Sequence, residues 1–175
     1  NTLLYMYYGN PSCFPQENSE DVWDSNYVAV WHLSEDPGTA GTGGIKDSTI
    51  FGNNGTDFGG MTSANHVSGM MGQGIDFDGV DDVIRIDDSS SSGHVLDFTG
   101  GPFTLETWFK ASSDQGTLIN KRDGNDDQYQ FLLQPGGQNV QVLANGEYGG
   151  GVGSLSQYTW YYGAVIVDES NWPET

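Results

Sequence analysis

Apolar and polar residues alternate with period two in several short blocks of this chain, and glycine- and asparagine-rich turns cut the blocks apart. The clearest block is Phe103–Lys110. Phe103, Leu105, Thr107 and Phe109 fall on one side of it, and Thr104, Glu106, Trp108 and Lys110 on the other. A strand with one face on a core has this period, whereas an amphipathic helix repeats its apolar positions every three to four residues. Further strands are expected at residues 27–33, 117–121, 128–133, 139–144 and 160–167. The breaks between the later ones lie at 123–127, 135–137 and the glycine-rich 145–153. No stretch carries a helical period of useful length, so the expectation is an all-β, two-sheet antiparallel β-sandwich.

A second alternating stretch, residues 72–87, reads GQGIDFDGVDDVIRID. Ile75 and Phe77 alternate with Asp76 and Asp78, and Ile84 and Ile86 alternate with Val83, Arg85 and Asp87 around a turn at residues 79–81. This predicts two short strands paired across a hinge. Asp76, Asp78, Asp81 and Asp82 crowd into seven residues there. Like charges so close together must be solvated, protonated or neutralised by a cation, and calcium, which seeks oxygen ligands, is one such cation. Two readings therefore stand side by side: an acidic, solvated hairpin tip, or a metal site. Residues 123–127 form a rival acidic loop, but they lack the EF-hand glycine and terminal glutamate spacing.

Charge narrows the partners. With 24 acidic residues against 5 basic ones the net charge is −19, which argues against phosphate backbones and anionic membranes as partners, since both require lysine and arginine. No apolar run reaches the length of a membrane span, and none at the start resembles a signal peptide. Five Trp, nine Tyr and eight Phe would be wasteful in a disordered chain, so a folded domain is expected, and 175 residues suit one domain better than two. The acidic, lysine-poor composition is usual for microbial surface or secreted proteins. Cys13, the lone cysteine, cannot form an intrachain disulfide. The chain opens on Asn, as a processed or excised piece would.

Residues 3–8 (LLYMYY) read as a strand stopped by Gly9, Asn10 and Pro11, and residues 10–26 as a linker. The block 27–33 (YVAVWHL) is apolar on both faces, which predicts a strand inside the sandwich. Residues 34–60 are loop-like. Within them Asp47, Asn53 and Asn54 offer either turn-stabilising hydrogen bonds or metal oxygens. His66 has no partner in reach by sequence and is expected at the surface, and residues 89–93 (SSSSG) read as a flexible break. With Phe103, Leu105 and Phe109 in the core, Trp108 and Glu106 would share the outer sheet face. An aromatic ring beside a carboxylate suits a sugar, whose C–H faces stack on the ring while its hydroxyls seek charged oxygens. The alternative is a Trp108 covered by a loop or a further strand.

Four blocks in order carry a family resemblance: Tyr27-Val-Ala-Val-Trp-His-Leu33, Ile45-Lys-Asp-Ser48 with Gly52-Asn-Asn-Gly-Thr56, Gly72-Gln-Gly-Ile-Asp-Phe-Asp-Gly-Val-Asp-Asp82, and Pro102-Phe-Thr-Leu-Glu-Thr-Trp108. Over residues 27–168 the chain resembles the laminin-G-like jelly-roll domains of the concanavalin A-like lectin/glucanase superfamily found in bacterial and archaeal surface proteins. Residues 1–26 are similar to the tail of a β domain that often precedes this module, which divides the chain into 1–26 and a sandwich domain at 27–175. The resemblance implies jelly-roll connectivity, an extracellular or cell-surface setting, non-catalytic binding of glycans or surface proteins, and a structural calcium. It transfers metal-ligand roles to Asp47, Asp78, Asp81 and Asp82 and a ligand-face role to Trp108. In the family, further strands follow the one that matches residues 160–167. The sandwich is therefore expected to be incomplete at its C-terminal end, and to be completed by residues 3–8, by a neighbouring copy, or by a longer polypeptide.

Three function classes follow. The first is a calcium-stabilised adhesion or carbohydrate-binding module. The second is a structural subunit of an extracellular fibre or surface layer, self-associating through an open sheet edge. The third, a glycoside hydrolase, needs two carboxylates about 5 to 10 Å apart across a cleft. The glutamates Glu35, Glu106, Glu147 and Glu169 are scattered, and no Ser-His-Asp or Cys-His pairing presents itself, so the expectation is a protein that is not an enzyme.

Overall fold

The computed structural model describes residues 3, 5, 9–12, 14, 18, 20–87, 95–98, 101–113, 115–123, 126–134, 139–144, 147–152 and 155–168. The expected strand at 3–8 lies largely outside these residues; Leu3 and Tyr5 are exposed and carry no strand. Cys13 and the 89–93 break also fall outside them.

The molecule is all-β and, among the described residues, has one single-turn helix, α1 (Pro37–Ala40), and one 3-10 turn (Ser63–Asn65). The strands are β1 (Gly55–Phe58), β2 (His66–Ser68), β3 (Gln73–Ile75), β4 (Val83–Ile86), β5 (Phe103–Lys110), β6 (Gly116–Asp123), β7 (Asp126–Gln134), β8 (Asn139–Ala144), β9 (Glu147–Val152) and β10 (Trp160–Val167). All ladders are antiparallel: β1–β4, β2–β3, β5–β10, and a meander in the order β6–β7–β8–β9.

The core lies between the β5–β10 pair and the meander. As the alternation predicts, Phe103, Leu105 and Phe109 of β5 point inward and are buried, together with Val167 of β10. Phe103, Leu105 and Val167 meet Tyr129 and Phe131 of β7, and Phe131 is 0% exposed. Gly163 of β10 permits this approach. A Cβ there would lie 2.7 Å from the Phe131 ring and 3.2 Å from that of Phe109, so only a residue without a side chain lets the rings reach the strand. Phe98 stacks on Phe103 with centroids 4.4 Å apart and planes 10° from parallel. Tyr129 Oη donates to the Leu96 carbonyl (3.2 Å), and Lys121 pairs with Asp97 (3.0 Å). Residues 95–98 are thereby fastened to the meander.

Residues 27–87 are held differently. The 27–33 segment forms no strand; it makes a single bridge, Trp31 to Asp47. The reason is that side chains take the places of ladder partners. Val30 N–H donates to Asp47 Oδ1 (2.9 Å), and Asn53 Nδ2 donates to the Val28 carbonyl (2.8 Å). Ser48 N–H also donates to the Val30 carbonyl (2.9 Å), so the Val28 carbonyl and both backbone groups of Val30 are satisfied without a strand ladder. The segment is half-buried to exposed rather than interior, with Tyr27 and His32 at the surface.

The expected 72–87 hairpin is also corrected. β3 pairs with β2 and β4 pairs with β1, so the two strands flank the acidic turn without pairing with each other, and Phe77 between them is exposed. His66 is half-buried, with Nε2 placed 3.0 Å from the Ser34 carbonyl oxygen, which accepts the ring N–H. Residues 147–152, expected as part of a break, form β9, the outer strand of the meander. Their glycines hide a strand from any propensity argument, but an outer strand needs only one partner.

Candidate functional site

The register of β5 on β10 builds the outward face of that pair. Directly opposed residues share a face, so Lys110 stands beside Trp160, Trp108 beside Tyr162, Glu106 beside Ala164 and Thr104 beside Ile166. Trp108 is 39% exposed and Tyr162 51%, so both rings reach the surface. Their ring centroids lie 5.3 Å apart with planes at 50°. Tyr162 Oη reaches diagonally across the ladder and donates to Glu106 Oε2 at 2.5 Å. This bond to the carboxylate, reinforced by desolvation and by the nearby charge of Glu106, raises the Tyr162 pKa above 10.0 and keeps the phenol neutral. The charge of Tyr27 pushes weakly in the same direction. Trp108 and Glu106 are legible from the alternation of β5. Tyr162 is not, because the β5–β10 register joins residues more than fifty positions apart, and only that pairing puts the tyrosine beside them.

The acidic turn between β3 and β4 closes on itself. Asp78 Oδ1 accepts the N–H groups of Val80 (2.8 Å), Asp81 (3.2 Å) and Asp82 (3.3 Å), with Gly79 at φ +74° providing the bend. In return Asp82 Oδ2 accepts the Asp78 N–H (3.0 Å) and Asn65 Nδ2 (3.1 Å). Asn65 also donates to the Asp76 carbonyl (2.9 Å) and accepts the Thr62 N–H (2.9 Å), which ties the turn to the 3-10 segment. Gly59, at φ +97°, lies flat against the turn, where a Cβ would sit 2.6 Å from the Asp81 carbonyl oxygen. The backbone N–H groups, that of Val80 above all, hold the Asp78 carboxyl below its usual 3.8.

Oxygens of Asp78, Asp81 and Asp82 lie within 4.8 Å of one another. The turn's own bonds use Asp78 Oδ1 and Asp82 Oδ2, which leaves Asp78 Oδ2, Asp82 Oδ1 and both oxygens of Asp81 for another partner. Hard carboxylate oxygens converging from three residues fit a calcium ion in kind, and calcium takes about six to eight oxygens in all, including waters. Asp76 is not in the group.

Asp47, the fourth aspartate that the sequence singles out as a metal ligand, lies apart from these three. It is 8% exposed and wholly occupied by protein donors. Oδ1 accepts from Val30 N (2.9 Å) and Thr49 N (3.0 Å), and Oδ2 from Thr49 Oγ1 (2.8 Å) and Asn53 N (2.9 Å). Its own N–H donates to Asn54 Oδ1 (3.0 Å), and Trp31 Nε1 donates to the Asn53 carbonyl (2.7 Å). Of the two roles open to Asp47, Asn53 and Asn54, the arrangement displays turn-stabilising hydrogen bonds. The rival loop 123–127 turns β6 into β7, and its side chains fall outside the described residues.

No helix among the described residues is long and apolar enough to cross a membrane. Comparison with protein-family models, with curated proteins and with solved structures finds no match to this chain in any of the three.

Proposed function

We propose that this chain is a non-catalytic, extracellular binding module of the laminin-G-like jelly-roll type, taking a glycan on the Trp108–Glu106 face and calcium at the Asp78–Asp81–Asp82 turn. The observation that carries the reading is the placement of Trp108 and Tyr162 side by side, both exposed, with the Glu106 carboxylate held between strands on the same face. Aromatic faces meet the C–H surface of a pyranose, and the carboxylate accepts its hydroxyls. A jelly-roll sandwich agrees with the packing of the β5–β10 pair against the meander. The calcium assignment is supported by the three converging carboxylates, whose mutual repulsion the ion would relieve. The test is a glycan array run with and without chelator. Binding to a defined glycan, abolished in Trp108→Ala, is the expected result; an array blank at every glycan, or hydrolysis of the bound oligosaccharide, overturns the reading.

A second reading, a structural subunit joined to its neighbours by strand addition, is favoured by one observation. Among the described residues β5 and β10 pair only with each other, so each presents an edge to which a further strand can add. Native mass measurement separates the two readings: a monomer that binds sugar supports the first, and a sugar-blind assembly the second.

A further inference from the structure

Resting on the glycan reading above, we infer that the Trp108–Tyr162–Glu106 face selects amine-bearing sugars, hexosamine units with a free ammonium group, over N-acetylated or acidic ones. The argument begins with where the cations are. The chain has five basic residues, and the four whose side chains are described are engaged away from Glu106. Lys46 donates to the Gly43 carbonyl, Arg85 lies over the Phe58 ring, Lys110 lies over Trp160, and Lys121 pairs with Asp97. Glu106 instead has a neutral phenol as its hydrogen-bond partner. Among the described residues no basic side chain pairs with it, and it lies on a surface with two exposed aromatic rings whose π-faces also attract cations.

The same face already displays the pairing such a ligand would make. Lys110 Nζ sits 5.2 Å from the centroid of Trp160, one cross-strand pair along from Trp108 and Tyr162. An ammonium carried on a pyranose would meet the Glu106 carboxylate while the C–H face of its ring stacks on Trp108. A uronate or sulfated sugar would bring a like charge toward Glu106 on a protein of net charge −19, and an N-acetyl group would offer no charge at all. Tyr162, a phenol that is neutral near pH 7, puts a hydrogen-bond donor rather than a second anion beside the carboxylate.

The experiment is titration calorimetry of the full 175-residue chain with three probes: a fully deacetylated glucosamine oligomer, the matching N-acetylglucosamine oligomer, and a glucuronate-containing oligomer. The deacetylated oligomer is expected to bind about fivefold more tightly than the acetylated one, the size of an exposed charge pair with a cation–π contact, and to lose that advantage as salt is raised. Glu106→Gln should erase the difference, Trp108→Ala should weaken both, and Asp57→Asn, which removes the same charge elsewhere, should leave the ratio intact. Equal binding of the first two probes, or equal effects of Glu106→Gln and Asp57→Asn, overturns the inference while the glycan reading survives. Failure of all three probes to bind overturns the inference, and the glycan array then decides whether the glycan reading falls with it. A trilysine peptide that matches the glucosamine oligomer and is equally sensitive to Glu106→Gln would show that the face reads amines and not sugars, which also overturns the inference.

Discussion

Residues 27–87 and residues 103–167 solve the same problem, ordering a chain with little helix, by opposite means. The second region does it with apolar shape: long strands in register, and a ring, Phe131, seated on the bare backbone of Gly163. The first has short ladders of three or four residues and relies on side chains that stand in for backbone partners, with Asp47 at the centre and Asn53 and Asn65 further along the chain. An apolar core tolerates changes that keep its volume, whereas a polar hub tolerates only changes that keep its donors and acceptors. The two regions should therefore respond to substitution in opposite patterns.

The largest effect is expected at Phe131. Its truncation to Ala removes a fully buried ring and leaves a cavity, which costs about 3 to 5 kcal/mol, while Phe131→Leu keeps most of the volume and costs about 1 to 2 kcal/mol. Asp47 comes next, at about 3 kcal/mol for Asp47→Ala, because three buried donors and one half-buried donor lose their acceptor together. Here the near-isosteric swap gives no relief. Asp47→Asn turns an amide N–H₂ toward donors, and its cost should stay close to that of alanine. Urea unfolding midpoints of the four variants decide the matter. If Asp47→Asn proves mild and Phe131→Leu severe, the contrast between shape-held and bond-held regions is wrong.

Gly163→Ala should cost less, about 1 to 3 kcal/mol, since the added methyl forces the Phe131 and Phe109 rings to shift rather than leaving a void. Combined with Phe131→Leu, its cost should fall, because the smaller side chain leaves room for the methyl. Simple additivity of the two in thermal unfolding would show that they do not share a contact.

The same contrast explains what was legible in the sequence. β5, β8 and β10 appear with the bounds expected of them, because each is an apolar-rich run of six residues or more set between turn residues, and in β5 the strict alternation also fixes which face is buried. Residues 27–33 carry the same apolar signal and yet form no strand. What decides their fate is a carboxylate and an amide 17 to 25 positions away, and no local pattern reports that. The 72–87 stretch misleads for a related reason: its alternation is real, but each half finds its partner upstream, at β2 and β1. Among site residues, Trp108, Glu106 and the acidic turn follow from local pattern. Tyr162 requires the β5–β10 register, and the separation of Asp47 from the other aspartates requires its hydrogen-bond partners.

The smallest expected effect tests the hydrogen bonding inside the first region. Asp78 differs from Asp47 in lying open to solvent while serving three N–H groups of its own turn, so its contribution should be electrostatic and screened. Asp78→Asn keeps an amide oxygen able to accept those bonds and removes only the charge. The folded-state pKa of Asp78 is depressed, so the group's contribution is fully present above its usual value of 3.8 and is lost as pH falls through the lower folded value. At pH 7 without calcium the variant should therefore unfold slightly earlier than its parent, and the gap should close as the medium is taken below about pH 4. The measurement is the difference in thermal midpoint between the two proteins across that range. A gap that stays constant into acid would mean that the turn is held by the shape of the side chain and not by its charge. That would place Asp78 with Phe131 rather than with Asp47.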